Sequence, residues 1–476
     1  MEAPWLQRRS CCRINDLPDN LIHHILSFLP IKDVIRTSYI SKRWRYLWTS
    51  VPSLDFDGLV FDPQMKFVKF VDSILSHRSN SAIEKFCLRF GSDYCRLPHV
   101  HTWVLTAVRN NVRELSIAFH TEQSFQLPSC MFTCRTLQVL SLNLYNSVLK
   151  LIPPINLPVL KTLRLSSVRF RDDNLTQLLS NCPLLENLHL EACVISAHII
   201  VFSHSLQRLT IDGSPKQFLL DHSGVKNGIR VFAPRLLSFT YRNHHAQCIH
   251  LEDVSSVVQA SISLEFDWDV KHIVCGQRVS NSLEGLLNVK VLTLSSATVV
   301  LLSAASGLLG RLPAFPKLVQ LYVSIVVGKD HFRALTCFVH NSPNLEFLSV
   351  NIPHRQVLYY RNLWQRWFDK ECFKPENAPY ECTFRQLKTV KINGFIGDED
   401  ELAFVKYLLK RASVLEKMII VFSNQLSANL ELQMKTRDNI LLYPRASSSS
   451  EIICQSVPVI GTQEMVENPY SNFLLF

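Results

Sequence analysis

Apolar positions along this chain fall into three patterns, each of which predicts a different element. In the first, LPDNLIHHILSFL (residues 17–29), large apolar side chains recur at Leu21, Ile22, Ile25, Leu26 and Leu29. That is helical spacing with a broad stripe. Pro18 suits the first turn, where its missing N–H costs nothing, and Pro30 stops the helix. Asp33–Thr37 predicts a second short helix. Ser41 is placed to cap a third, SKRWRYLW, which brings Trp44 and Trp48 onto one face. Helices this short are marginal alone. Trp44 and Leu47 are expected to fill the small core between them, leaving part of the Leu17–Leu29 stripe uncovered. Burying one such side chain is worth roughly 1.5–3 kcal/mol, so an open stripe favours a partner.

The second pattern is a repeat of the type L-x-x-L-x-L. It reads IEKFCLRF from Ile83, VRELSIAF from Val112, LQVLSLNL from Leu137, LKTLRLSS from Leu160, LENLHLEA from Leu185, LQRLTIDG from Leu206 and LLSFTYRN from Leu236. After a weaker strand at VQASISLEF it resumes as VKVLTLSS, LVQLYVSI, LEFLSVNI, LKTVKING and LEKMIIVF, the last from Leu415. Most steps are 21 to 30 residues. Positions 4 and 6 alternate as in a strand and share one face. Position 1 packs beneath them. Between strands the chain is expected to be helical or irregular, as in DDNLTQLLSNCPLL, with Asp172 or Asp173 capping a helix. One unit cannot bury its apolar face, whereas a stack of them makes a continuous core. About a dozen copies match the leucine-rich repeat of a curved solenoid. Positions 3, 5 and 7 then face the concave side, where solenoids bind partners. Arg164, His189, Arg208, Thr210, Tyr322 and Phe347 are the candidate target-binding residues of that row, the two aromatics foremost because aromatics and Arg dominate interface energetics.

The third pattern, LKTVKINGFIGDEDELAFVKYLLKRASVLEKMIIVF, reads as strand, turn at Gly394 and Gly397, helix, strand. Acids at Asp398–Glu401 favour the helix dipole. Leu402, Val405, Leu408 and Leu409 make its apolar face.

Composition narrows the function classes. The chain has 476 residues, 50 basic against 40 acidic, and 47% hydrophobic content. A net charge of +10 is mild for this length, and there is no dense basic stripe of the kind a nucleic-acid binder carries. No signal-peptide pattern opens the sequence, and TVVLLSAASGLLG is too short to span a membrane. The expectation is a soluble intracellular chain, nuclear and/or cytoplasmic, with no membrane and no nucleic-acid partner. Its 14 Cys are then mostly reduced core thiols. NHHAQCIH and CRLPHVH only faintly resemble metal ligands and lack paired knuckles, so no metal or other cofactor is expected. There is no GxGxxG, GxxxxGK[ST], GxSxG or HExxH, and 13 Gly are few for phosphate loops. No catalytic residue is assigned.

Residues Asp16–Asp57 resemble an F-box of the kind common in plant proteins. Leu17-Pro18, Leu21-Ile22, Ile25-Leu26-Ser27, Leu29, Ser41-Lys42-Arg43-Trp44 and Leu47-Trp48 sit at that family's spacing. Asn20 departs from it, since an acid is usual there, which weakens helix N-terminal charge by a few tenths of a kcal/mol. The C-terminal module and the later LLYPRASSSSEIIC resemble the FBD domain that ends many such proteins. The resemblance implies an α/β fold: a three-helix F-box (16–57), a right-handed β-α leucine-rich-repeat solenoid (58–375) and an FBD domain (376–455), between an N-terminal tail (1–15) and a C-terminal tail (456–476) expected to be disordered.

By the same resemblance the F-box docks on a Skp/ASK-type adaptor of a cullin-based ubiquitin ligase, through Leu17, Pro18, Leu21, Ile22, Ile25, Leu26, Leu29 and Val34. The repeats would hold a protein target, and the chain would be a non-catalytic substrate receptor acting by proximity. Two alternatives remain open. One is a small-molecule co-receptor, which needs a deep pocket with convergent basic residues, where only Arg164 and Arg208 qualify. The other is a leucine-rich-repeat scaffold that engages no ligase.

Overall fold

Position 1 of each repeat, together with positions 4 and 6, becomes the inner wall of a parallel sheet. Leu160, Leu163 and Leu165 are fully buried, and so are Leu318 and Leu321 with Val323 close behind. The computed structural model describes residues 14–58, 64–78, 81–91, 97–119, 127–170, 174–195, 199–213, 228–243, 248–264, 272–304, 312–325, 329–352 and 384–456. The chain divides into two units. The first comprises Met1–Lys271 with Asn281–Leu286, the second His272–Ser280 with Leu287–Phe476.

In the first unit the main strands are β1 (Ser53–Asp57), β2 (Lys85–Phe90), β3 (Glu114–Phe119), β4 (Val139–Val148), β5 (Thr162–Phe170) and β6 (Asn187–Glu191). A short β7 (Val194–Ile195) pairs with β5. Three more strands, β8 (Ile199–Phe202), β10 (Gly228–Phe232) and β12 (Cys248–Glu252), alternate along the chain with β9 (Arg208–Asp212), β11 (Ser238–Asn243) and β13 (Gln259–Leu264). The sheet runs β1-β2-β3-β4-β5-β6-β9-β11-β13, with every pair parallel. Adjacent turns are stitched at position 2. The Gln138 carbonyl accepts from the Lys161 and Thr162 amides at 2.8 and 3.0 Å, and the Lys161 carbonyl accepts from Glu186 and Asn187 in the same way. Satisfying these turn amides lets the units stack without orphaned backbone groups. The second unit repeats the scheme with β14 (Val291–Leu294), β15 (Gln320–Ser324), β16 (Phe347–Asn351), β17 (Thr389–Phe395), β18 (Lys417–Phe422) and β19 (Glu451–Gln455), paired in that order and all parallel.

Two features depart from the sequence expectation. Helices Gln64–His77, Leu97–Arg109 and Asn174–Ser180 do fill connections in the first unit, but β8, β10 and β12 form a second parallel sheet where helical or irregular chain is expected. Their residues alternate: Ile199 and Val201 are buried, while Ile200 and Phe202 are exposed. That period of two is a strand signature. The stretch SLDFD, grouped with the F-box by sequence, is strand β1 and pairs with β2.

The N-terminal module has α1 (Asp19–Leu26) and α2 (Ile31–Arg36), each entered through a proline N-cap. The Pro18 carbonyl accepts from Leu21 and Ile22 at 3.0 and 3.1 Å. The third expected helix is instead a run of turns closed by a 3-10 helix, Leu47–Ser50. Turns send Trp44 into the core, where it is buried, and return Arg43 to the start of α1. Adjacent positions on a helix point about 100° apart, so these two destinations fit turns better. Leu47 and Trp48 are half-buried. The module packs through α1 on that 3-10 helix and through α2 on β1.

Candidate partner-binding surfaces

The eight candidate adaptor contacts divide in two. Ile22, Leu26 and Val34 are sealed in the module's own core at 0–1% exposure. Their expected role as contacts is corrected: they hold α1 and α2 in place. Pro18, Leu21, Ile25 and Leu29 are exposed and Leu17 is half-buried. The helical stripe is wide enough for one edge to anchor and the other to stay open. Phe28, 75% exposed, extends the open edge, and its ring meets His24 edge-on at 4.9 Å. Tyr39, Ile40 and Tyr46 are exposed nearby in sequence. Sequence reasoning did not single out these four. Phe28 belongs to the same apolar run, whereas Tyr39 and Tyr46 lie in turns that carry no periodic signal.

The Arg43 guanidinium donates to the Leu17 carbonyl at 2.6 Å and to the Asp19 carboxylate. It thereby fixes the start of the open ridge against the turn segment. Next to the open edge, Asn20, His23, His24, Ser27 and Phe28 line a groove of about 880 Å³ whose far wall includes Glu84, Lys85 and Arg113.

On the first unit's strand face, Arg164, His189 and Thr210 form one register row, and Arg208 lies beside Asn187 in the next. Arg208 donates to the Asn187 side-chain oxygen at 2.9 Å. Several groups on this face are paired: Arg242 with Asp212 at 2.9 Å, Arg89 with Asp55 and Asp57 at 3.3 and 3.4 Å, and the Ser166 hydroxyl donating to Glu191 at 2.9 Å. On the second unit's face Tyr322 and Phe347 meet with ring centroids 5.5 Å apart. The Tyr322 hydroxyl donates to Gln320 at 3.1 Å, and partial burial raises its pKa. Asp172 and Asp173 lie outside the described residues, as do His244, His245, Ala246, Gln247, Cys95, Arg96 and the tail beyond Ser456.

The most strongly perturbed thiols and carboxyl are built into the fold. Burial pushes the Cys182 and Cys193 thiols up to about 12, which leaves them without thiolate reactivity. Burial, with Asp398 adding to it, raises the Glu401 carboxyl to about 7. Glu401 accepts from the Ile396 and Gly397 amides at 2.7 and 2.8 Å, and Asp398 caps the helix Glu399–Arg411 by accepting from the Glu401 amide at 2.9 Å. The acidic run is a helix start that closes on itself. Phe404, Val405, Leu408 and Leu409 form the buried side of this helix, whereas Leu402 is only half-buried. Among the described residues no cluster of His, Cys, Asp and Glu could hold a metal ion, and no helix is long and apolar enough to cross a membrane.

Comparison with known proteins agrees with this architecture. The F-box domain profile matches residues 14–56. The profile described as At1g61320/AtMIF1, LRR domain, matches residues 74–442. In Arabidopsis thaliana, the F-box/FBD/LRR-repeat protein At5g56420 is 30% identical, over 93% of this chain and 98% of its own length. F-box/LRR-repeat protein 13 is 29% identical over 92% and 95%. The FBD-associated F-box protein At1g66310 is 28% identical over 95% and 96%.

Proposed function

This chain belongs to the F-box/FBD/leucine-rich-repeat family of plant proteins, and we propose that it is the substrate receptor of a Skp–cullin–F-box ubiquitin ligase inside the cell. The F-box docks on a Skp-type adaptor and, through it, a cullin. The strand faces of the repeats hold a protein target. Transfer of ubiquitin takes place on other subunits, and this chain contributes no catalytic residue. Its contribution is effective concentration: target lysines are held near the loaded conjugating enzyme.

One observation carries the reading. Leu21, Ile25, Phe28 and Leu29 stay open on the edge of a module whose other edge is sealed. A contiguous apolar ridge left in water marks an interaction site. It lies on the segment matched by the F-box profile, whose family function is adaptor docking. The test is co-purification with a recombinant Skp-type adaptor. The wild-type chain is expected to retain the adaptor through size exclusion, and Leu21→Asp/Leu29→Asp to lose it while keeping its circular dichroism spectrum. Equal retention by both would overturn the reading.

A further inference from the structure

The second unit carries a surface whose chemistry differs from the first. In the register row through β15, β16 and β17, Tyr322, Ser349 and Lys391 lie side by side. In the neighbouring row Phe347, Thr389 and Lys417 do the same across β16, β17 and β18. Ser349 is buried at the centre, a small side chain beneath larger neighbours. The two aromatic rings touch on one side of it, and the two ammonium groups stand on the other. Neither the Lys391 nor the Lys417 ammonium group forms an ion pair or hydrogen bond among the described residues. Glu451, in register with Lys417 on β19, is the one carboxylate described at an outward position of these strands, and it forms no ion pair with that lysine.

The contrast with the first unit decides the meaning. There Asp55, Asp57, Glu191 and Asp212 consume the cations and hydroxyls beside them. In the second unit Lys388 pairs with Glu346 at 3.1 Å, but Lys391 and Lys417 are left unanswered beside an apolar platform. Two cations are too few to follow a nucleic-acid backbone. An aromatic pair adjoining them offers the desolvated anchor around which protein interfaces form, and unanswered charge selects the sign of the partner.

We propose that the outward face of β15–β18 is a recognition site for an extended acidic peptide segment of the target, with an aromatic or aliphatic side chain seated on Tyr322 and Phe347 and carboxylates meeting Lys391 and Lys417. This rests on the substrate-receptor reading and adds the chemical class of the target segment.

The probe is a fluorescein-labelled peptide with one phenylalanine flanked on each side by three glutamates, titrated by anisotropy against the full chain co-purified with its adaptor. A peptide with glutamines in place of the glutamates is the reference. The acidic peptide is expected to bind about tenfold more tightly than the reference. Lys391→Gln/Lys417→Gln is expected to erase that advantage, and Tyr322→Ala/Phe347→Ala to weaken both peptides. Lys391→Arg/Lys417→Arg is expected to keep it. Lys66→Gln/Lys69→Gln on the helix Gln64–His77 of the first unit, which removes equal charge from exposed positions off the strand face, is expected to change affinity less than about twofold. Equal binding of the two peptides, or equal losses from the two glutamine double variants, would overturn the inference. Adaptor retention is read on the same samples. Equal binding of the two peptides by the wild-type chain with the adaptor still bound defeats this site alone, whereas failure of the wild-type chain to retain the adaptor defeats the ligase reading.

Discussion

Ile22 and Ile25 lie three positions apart on one helix, yet Ile22 is fully sealed while Ile25 keeps 41% of its surface open. The helix therefore has an anchoring edge and a presenting edge made of the same residue type. Ile22→Ala is expected to destabilise the N-terminal module by about 2–5 kcal/mol, as deletion of a packed aliphatic side chain does. Ile25→Ala, at an open position, is expected to stay within about 0.5 kcal/mol of wild type and to weaken adaptor binding. Urea denaturation followed by Trp fluorescence reads the first quantity, and adaptor titration the second. A stability loss at Ile25 equal to that at Ile22 would mean that the edge is part of the core.

Trp44 supplies a second contrast. It is buried, and its indole N–H meets no acceptor among the described residues. An unsatisfied buried donor costs about 1–3 kcal/mol. Trp44→Phe removes that donor while keeping most of the ring, so the two effects oppose and the variant is expected within about 1.5 kcal/mol of wild type. Trp44→Ala has no such compensation and is expected to cost about 3–5 kcal/mol. If the phenylalanine variant lost as much as the alanine variant in the same denaturation measurement, the indole's full shape or its N–H, not the apolar bulk that phenylalanine keeps, would govern the site.

The contrast between Ile22 and Ile25 also marks where sequence reasoning stops. Helical spacing put both on one broad stripe, and spacing alone cannot say which edge of a stripe the module's own core will claim. That is settled by tertiary packing, which buried Val34 and Leu26 with Ile22. The repeat strands were legible because three positions per unit must all be sealed: Leu185, Leu188 and Leu190 read as one strand before any coordinates exist. The sheet of β8, β10 and β12 was hidden for the opposite reason. Ile199–Phe202 is a short alternation inside a connection, and short apolar runs do not separate strand from helix. Ser41–Trp48 had helix-compatible spacing, but the reach of Arg43 to Leu17 and Asp19 belongs to tertiary structure.

The turn expected at Gly394 and Gly397 is corrected at the first: Gly394 lies inside β17, where the register against β18 shifts between Asn393 and Phe395. Gly394 has φ +76°, and a Cβ there would stand 2.2 Å from the Ile352 carbonyl oxygen of the neighbouring strand. Left-handed backbone at a non-glycine residue costs on the order of 1–3 kcal/mol by itself, and the contact is with backbone that cannot swing aside. Gly394→Ala is expected to open the β16–β17 pairing. Hydrogen exchange at the Ile352 amide, which donates to the Asn393 carbonyl at 2.9 Å, is expected to speed up, while amides of β2 and β3 in the first unit keep their rates. Unchanged exchange at Ile352 would show that the irregularity in β17 relaxes without disturbing the pair.

Glu401 gives the chain a pH dependence whose sign follows from its surroundings. Burial dominates over the two amide donors, so the folded carboxyl holds its proton to about pH 7, above the ordinary 4.5. The folded state thus binds this proton more tightly than the unfolded chain does. The resulting stability is fully present below pH 4.5, declines as pH rises through about 7 and is gone at higher pH. Other carboxylates act in the opposite sense at acid pH, so the informative window is pH 5.5 to 8, flanking the value for Glu401. Across it the second unit of the wild type is expected to lose stability to urea. Glu401→Gln keeps a carbonyl oxygen for the Ile396 and Gly397 amides but cannot ionise, so its curve is expected to be flatter. If the glutamine variant falls as steeply as the wild type, the dependence arises elsewhere, and the amide donors keep Glu401 ionised throughout.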